Sequence, residues 1–235
     1  MNLDKLIKLY EKQFEIKDSK KIKENIEKYK AFLQSENKKY NLTRLDKNEI
    51  VYQQYFYEST INFSLKNFEN VTNVLDIGSG SGIPGIVLKI IFPHINLYIV
   101  ESNNKKCKFL DELVKILNLN NVYISNKRCE DYIKNKRNFF DLITCRAVAE
   151  IRIILELAIP GLKINGSCFL LKSANYLNEL NDAKYIAKKL NLNDPEINVI
   201  NQFDKTFVGI NYIKTKEVDS IFPRSWKEIL SNDKN

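Results

Sequence analysis

Two hydrophobic periods alternate along this chain, and the change from one to the other organises it. From Leu3 to Lys66 the apolar positions recur at helical spacing: Leu3, Ile7, Tyr10 and Phe14 share one face, and Ile22, Ile26, Tyr29, Phe32 and Leu33 share another. A break at 37–46 precedes a third expected helix over roughly 47–66. Beyond it, short apolar runs at 71–77, 97–101 and 122–126 read as buried strands, separated by helical stretches at 83–92 and 105–117. A strand at 140–145, a helix at 150–159, a strand at 164–172 and a helix at 176–190 continue the series. Runs at 197–202 and 206–214 read as a hairpin turning around Asp204. Alternating strands and helices predict an α/β fold: a parallel Rossmann-like sheet with helices on both faces and an antiparallel far edge. The expected divisions are an N-terminal helical extension over 1–68, the sheet domain over 69–218 and a C-terminal tail over 219–235.

Composition narrows the class. The 235 residues are 44% hydrophobic and 28% charged, ordinary values for a globular chain able to bury one substantial core. No signal or transit peptide is visible at the N-terminus, and no apolar run approaches the ~18 residues that span a bilayer. Cys107, Cys129, Cys145 and Cys168 are widely spaced, form no C-x-x-C pair and have a single histidine, His94, to accompany them, so a zinc site is not expected. Reduced thiols in a cytoplasmic protein with no metal, no membrane and no stable protein partner are the simplest expectation, and the Asn41-Leu-Thr43 glycosylation match then means nothing.

The net charge of +8 is unevenly spread. Residues 103–137 hold nine Lys/Arg against four Asp/Glu, whereas residues 1–72 hold fourteen against eleven. Lys105, Lys106, Lys108, Lys127, Arg128, Lys134, Lys136 and Arg137 are expected near strand ends or in the adjoining helices, where a basic rim suits a phosphate-backbone substrate. A chain rich in Lys, Asn and Ile produces such clusters without any polyanion partner as well.

The chemistry concentrates at residues 74–85, Val-Leu-Asp-Ile-Gly-Ser-Gly-Ser-Gly-Ile-Pro-Gly. Gly78, Gly80 and Gly82 between a strand and a helix let backbone N–H groups approach a ligand closely. Two ligand classes fit. Gly80, Gly82 and Gly85 match the G-x-G-x-x-G of a dinucleotide site, and Glu101, about 20 residues on, suits a ribose-binding acid for either ligand. Asp76 breaks the tie, because a carboxylate at the strand's end repels a pyrophosphate and attracts the ammonium and sulfonium of S-adenosylmethionine. The dinucleotide fingerprint also begins directly at the strand's end, whereas Gly78 and Ser79 intervene here.

Ligands of such sheets sit beyond the carboxyl ends of the strands where the winding reverses. That gathers residues 78–83, Glu101 and Ser102, residues 129–131 and residues 146–149. Glu101 is expected to accept hydrogen bonds from both ribose hydroxyls, and backbone amides around Cys129 and Glu130 to read adenine. Arg146 has three candidate roles: the cofactor pocket, a phosphate clamp, or a bidentate contact to a base. Cys145 at the end of the fourth strand invites comparison with a cysteine nucleophile, though a buried structural thiol is the simpler account. Lys172 and Arg224 are candidate RNA contacts or solvated surface, and Asn41 a base contact or a helix cap.

The chain resembles the ribosomal small-subunit methyltransferase G family, also called glucose-inhibited division protein B, over about residues 35–225. The resemblance rests on Tyr40-Asn41-Leu42-Thr43, the Asp76–Gly85 loop, Arg128-Cys-Glu130, Arg146-Ala147 and Phe222-Pro223-Arg224. It implies a class I S-adenosylmethionine-dependent methyltransferase fold and methyl transfer to N7 of guanine 527 in the 530 loop of 16S rRNA, free or in the small ribosomal subunit. It also implies that Gly78, Ile83, Cys129, Glu130 and Arg146 contact the cofactor or line its pocket. Two motifs depart from the family: members carry His-x-x-Asp-Ser where this chain has Tyr55-Phe-Tyr-Glu58-Ser59, and Lys-Gly where it has Lys172-Ser173. Guanine N7 already exposes a lone pair, so alignment suffices and no general base is required. The absence of an Asp/Asn-Pro-Pro-Tyr/Phe motif at Thr144-Cys145-Arg146-Ala147 counts against exocyclic-amine methylation. A methyltransferase of another substrate and an NAD- or nucleotide-binding module are the alternatives.

Overall fold

The computed structural model describes residues 1–40 and 50–231. Seven strands form one sheet in the order β3-β2-β1-β4-β5-β7-β6. They are β1 (Asn73–Ile77), β2 (Asn96–Val100), β3 (Val122–Ser125), β4 (Phe140–Arg146), β5 (Leu162–Lys172), β6 (Glu196–Gln202) and β7 (Lys205–Ile213). The first five pair in parallel, and β7 inserts antiparallel between β5 and β6. The expected hairpin is present: Phe203 and Asp204 both take positive φ, 54° and 56°, the backbone sense that matches the twist of a tight hairpin. Winding reverses between β1 and β4, which opens a crevice at their carboxyl ends.

Each sheet face has its own apolar layer. One buries α1 (Leu3–Phe14), α2 (Lys20–Tyr40), α3 (Gly85–Ile91) and α4 (Asn104–Ile116). Its members include Leu6, Tyr10, Ile26 and Tyr29 from the first two helices, together with Ile86, Leu97 and Phe109. The extension therefore shares its core with the sheet, and Phe32 stacks on Phe109 at 5.1 Å. The other face buries α5 (Cys129–Lys134), α6 (Ile151–Ala158), α7 (Tyr176–Lys189) and α8 (Trp226–Ser231) against residues such as Leu75, Ile143 and Ile210. With only seven glycines in the chain, asparagines take many of the left-handed positions, Asn118 just after α4 and Asn191 just after α7 among them. No helix among the described residues is long and apolar enough to cross a membrane.

Three features differ from the sequence expectation. The helix expected over 47–66 is, within the described residues, a π-type turn at Val51–Phe56 running into 3-10 turns at Tyr57–Ser59 and Leu65–Phe68. Residues 55–61 are all buried, a run that one face of an α-helix cannot hide, so the backbone winds differently to bury them. Helices α5 and α8 are only six residues each, too short to show a period, and the C-terminal tail is docked: Arg137 donates to the carbonyls of Val218, Asp219 and Phe222. The expected basic rim is also split. Lys105, Lys106, Lys108, Lys127 and Arg128 stand at the carboxyl end of the sheet. Lys136 and Arg137 precede β4 at the opposite end, where Lys136 Nζ lies 4.0 Å over the Phe139 ring and Arg137 holds the tail.

Candidate active site

The glycine loop is built around Asp76, which is fully buried at the penultimate position of β1. Its Oδ2 accepts from Ser79 Oγ (2.5 Å) and from the backbone N–H of Gly85 (2.9 Å), so one oxygen ties both ends of the loop to the strand. A Cβ on Gly85 would stand 2.6 Å from that oxygen, which is why the residue opening α3 is a glycine. Between the two ties Gly78, Gly80 and Gly82 take φ of 64°, 62° and 104°. Burial pushes the Asp76 carboxyl up to about 7, opposed by the Ser79 and Gly85 hydrogen bonds and assisted by the nearby Glu101 charge. The sequence alone suggests a permanently ionised acid at this position; burial makes it one that titrates near neutrality.

Glu101, just past β2, is likewise buried. Its Oε2 accepts from the Gly80 backbone N–H (3.1 Å) and its Oε1 from Asn103 N–H (2.9 Å), which leaves lone pairs on both oxygens for further donors. Beyond β3, Cys129 and Glu130 open α5. Glu130 Oε1 accepts from Arg128 Nε (3.2 Å), whose guanidinium lies 4.3 Å over the Trp226 ring of α8. Arg146 closes β4, and its Nη2 donates to the Gln54 carbonyl of the π-type turn (3.2 Å). Burial lowers the Arg146 pKa, while the charge of Glu58 works against that. Ala147, next to it, adopts the left-handed φ of 54° that a residue with a side chain avoids, and so turns the chain sharply out of the strand. Ile83 is half-buried and follows the loop directly, where its backbone N–H donates to the Ser79 carbonyl (3.1 Å).

Three buried polar atoms around this crevice have no hydrogen-bond partner among the described residues: Asp76 Oδ1, Glu130 Oε2 and Arg146 Nη1. They come from the end of β1, the first turn of α5 and the end of β4. An unmet buried polar atom is destabilising by about 1–3 kcal/mol, and three on one crevice mark it as shaped for a polar ligand. Two acceptors and one cationic donor complement a ligand that brings N–H donors and a carboxylate.

The N-terminal extension contributes directly. Tyr29 of α2 and Tyr55 of the π-type turn both donate to the Ser81 carbonyl, at 2.5 and 2.8 Å, in the middle of the glycine loop. Burial raises both phenols, Tyr55 to about 12, so both remain neutral donors. Tyr29 carries no sequence signal for this role, since its spacing on α2 marks it as a core residue. Tyr55 stands out in the sequence only as a departure from the family pattern.

Beyond Arg146 a cleft of about 810 Å³ opens between the carboxyl ends of β4 and β5 and the β6–β7 turn. Lys172 lines it, with Nζ held by Glu179 Oε2 (2.6 Å) and the Ala149 carbonyl (2.7 Å). Arg224 has a third role, neither of the two weighed from sequence. Its guanidinium pairs bidentately with Glu156 of α6 at 2.7 and 2.8 Å, and Glu156 is 2% exposed, so the Phe-Pro-Arg stretch anchors the tail. Asn41 lies outside the described residues. Cys145 is buried and its thiol pushed up to about 12, and burial raises Cys129 and Cys168 too, so all three stay protonated and unreactive at neutral pH. Among the described residues, no group of three or more His, Cys, Asp and Glu side chains is placed to hold a metal ion.

The sheet order, the glycine loop and the ring of acceptors define a class I S-adenosylmethionine-dependent methyltransferase. A crystal structure of a SAM-dependent methyltransferase from Aquifex aeolicus shares the fold, with a TM-score of 0.51 at 17% identity over 74% of this chain and 97% of that one. The chain belongs to the GidB family, described as rRNA small subunit methyltransferase G, whose profile matches residues 22–208. The ribosomal RNA small subunit methyltransferase G of Malacoplasma penetrans is 62% identical over 237 residues, covering 100% of both chains. Its counterpart in Ureaplasma parvum serovar 3 (strain ATCC 700970) is 42% identical over 210 residues, 88% of this chain and 98% of that one.

Proposed function

We propose that this chain transfers a methyl group from S-adenosylmethionine to N7 of guanine 527 in the 530 loop of 16S rRNA, in the cytoplasm, with the RNA free or within an assembling small subunit. The observation that carries the reading is the end-to-end 62% identity to a protein named for that RNA, joined to a crevice whose unmet groups suit the donor. The donor supplies a methyl group on a positively charged sulfur. Glu101 would accept from its ribose hydroxyls, and Glu130 Oε2 from the adenine amine, beside the backbone amides of Cys129 and Glu130. Arg146 Nη1 would take the methionine carboxylate, and Asp76 Oδ1, with Gly78, Gly80 and Ile83 of the loop, would serve the donor's cationic end. A diphosphate in the same place would set its charges against Asp76 and Glu101, which disfavours the NAD reading.

Guanine N7 needs no deprotonation before attack, so the protein's work is alignment and exclusion of water. Asp76, Tyr29 and Tyr55 fix the loop before the substrate arrives, and Arg146, held by Gln54, fixes the border between donor and acceptor. Lys172 on the acceptor side and the lysines around α4 would receive the RNA backbone. Methylation of purified 16S rRNA and of small subunits by the purified protein, with the methyl group mapped to the base, tests the reading. Transfer to N7 of guanine 527 is expected. Equilibrium dialysis showing tight NAD binding and no uptake of S-adenosylmethionine would overturn it.

A further inference from the structure

The acceptor cleft holds one buried carboxylate, Glu58, whose partnering is unlike that of the other buried or half-buried glutamates on this side of the molecule. Glu156, Glu179 and Glu101 are each held by groups that are themselves part of the fold: Arg224 on the first, Lys172 and the Ile151 backbone N–H on the second, and the Gly80 and Asn103 backbone on the third. Glu58 is not. It stands on the cleft wall with its side chain only 4% exposed, and both its oxygens meet one cation, Lys205 Nζ, at 3.2 and 3.1 Å. Lys205 comes from the first position of β7, next to the hairpin turn, and its side chain is 45% exposed. Among the described residues the other donor to Glu58 is Gln53 Nε2 at 3.5 Å, the outer limit of a hydrogen bond. The Arg146 guanidinium is close enough for its charge to act on Glu58, but it makes no hydrogen bond to it, so the donors on this nearly buried carboxylate come chiefly from one long, half-solvated side chain. Drawing that lysine away would leave buried carboxylate oxygens short of donors, so whatever enters the cleft must bring donors of its own.

The donors required are two N–H groups side by side, matched to two carboxylate oxygens. Guanine offers that pair at N1–H and the N2 amine, on a different edge of the ring from N7. Adenine presents a lone pair at N1 and would face the carboxylate with repulsion. Phosphates of an RNA chain are the natural destination for the released lysine. Glu58 also sits on the segment that positions the donor side, three residues from Tyr55 on the Ser81 carbonyl and four from Gln54, whose carbonyl holds Arg146. Resting on the guanine-N7 reading above, we infer that Glu58 specifies the target base by accepting from guanine N1–H and the N2 amine, with Lys205 as its placeholder until RNA enters.

The test is a cycle between a protein change and a base change. 16S rRNA is joined from segments carrying either guanosine or inosine at the target, inosine lacking only the N2 amine, and used free or assembled, whichever form the wild-type enzyme methylates. Wild-type enzyme should prefer guanosine by about 10- to 100-fold in kcat/KM, as loss of a hydrogen bond to a charged group implies. Glu58→Gln should lose about 100-fold on guanosine, with the preference shrinking to about threefold or less and the dissociation constant for S-adenosylmethionine unchanged. Glu58→Asp should keep the preference, which preserves the test if Glu58→Gln does not fold. Lys205→Met should keep it too while weakening RNA binding. Equal activity of wild type on both RNAs, or an unchanged preference in Glu58→Gln, would overturn the inference alone. No methylation of the guanosine RNA by wild type would instead overturn the guanine-N7 reading on which it rests.

Discussion

Replacing Asp76 by asparagine separates two roles that the structure gives one side chain. In the folded protein burial lifts its pKa from the ordinary 3.8 to about 7. A folded state that holds the proton more tightly than the unfolded chain is favoured at low pH. The contribution is full below pH ~4, falls as pH rises toward ~7 and then levels off. A displacement of about three pH units is worth about 4 kcal/mol, with a slope of about 1.4 kcal/mol per pH unit inside that window. The substituted amide cannot ionise, yet its carbonyl oxygen can still accept from Ser79 and Gly85. Urea unfolding of the ligand-free proteins at pH 5, 6, 7 and 8 should therefore show Asp76→Asn gaining stability relative to wild type at each step up to pH 7. Donor binding should move the other way. If Asp76 Oδ1 senses the donor's cation, wild type releases a proton on binding near pH 7 and the variant binds weaker by about 1–3 kcal/mol. Calorimetry in two buffers of different ionisation enthalpy reads both quantities. A stability difference that stays constant from pH 5 to 8 would refute the titration argument. An unchanged affinity with no proton release would leave Asp76 as a loop tie only.

Three further outcomes follow from single contacts. Tyr29→Phe and Tyr55→Phe should each lower stability by about 1 kcal/mol and weaken donor binding severalfold. The double variant should exceed their sum, because only then does the Ser81 carbonyl lose both donors; strict additivity with unaltered donor affinity would count against the brace. Arg224→Ala leaves Glu156 buried without its cation and should destabilise by about 3–5 kcal/mol in urea melts, while the rate per folded molecule holds. Neutralising Lys105, Lys108 and Lys127 together should reduce the slope of log affinity for RNA against log salt by about 0.7 per cation. A slope that does not respond removes those lysines from the RNA path.

The parallel strands were legible because each carries a short apolar core, such as Leu97–Val100 or Phe169–Leu171, that is too short to be a helix, and the hairpin because a break at Asp204 separates two short runs rich in β-branched residues. The donor loop was legible for a similar reason: an acid and spaced glycines between strand and helix have few physical uses. What escaped depends on the third dimension. Residues 51–59 carry aromatics at Tyr52, Tyr55, Phe56 and Tyr57, and only the packing decides that they wind as a π-type turn followed by a 3-10 turn. Arg224 reads as a surface cation until Glu156, 68 positions earlier, is brought beneath it. Asp76 was legible as an acid of the site, whereas the burial that makes it titrate near neutrality is a property of the folded loop.

The two phenols on the Ser81 carbonyl have a practical consequence. Many enzymes share the donor's own binding groups, so compounds that imitate the donor discriminate poorly among them. The seam where α2 meets the glycine loop belongs to this extension. A small molecule wedged there, displacing Tyr29 from its carbonyl, would disable methyl transfer without competing against the cell's supply of donor.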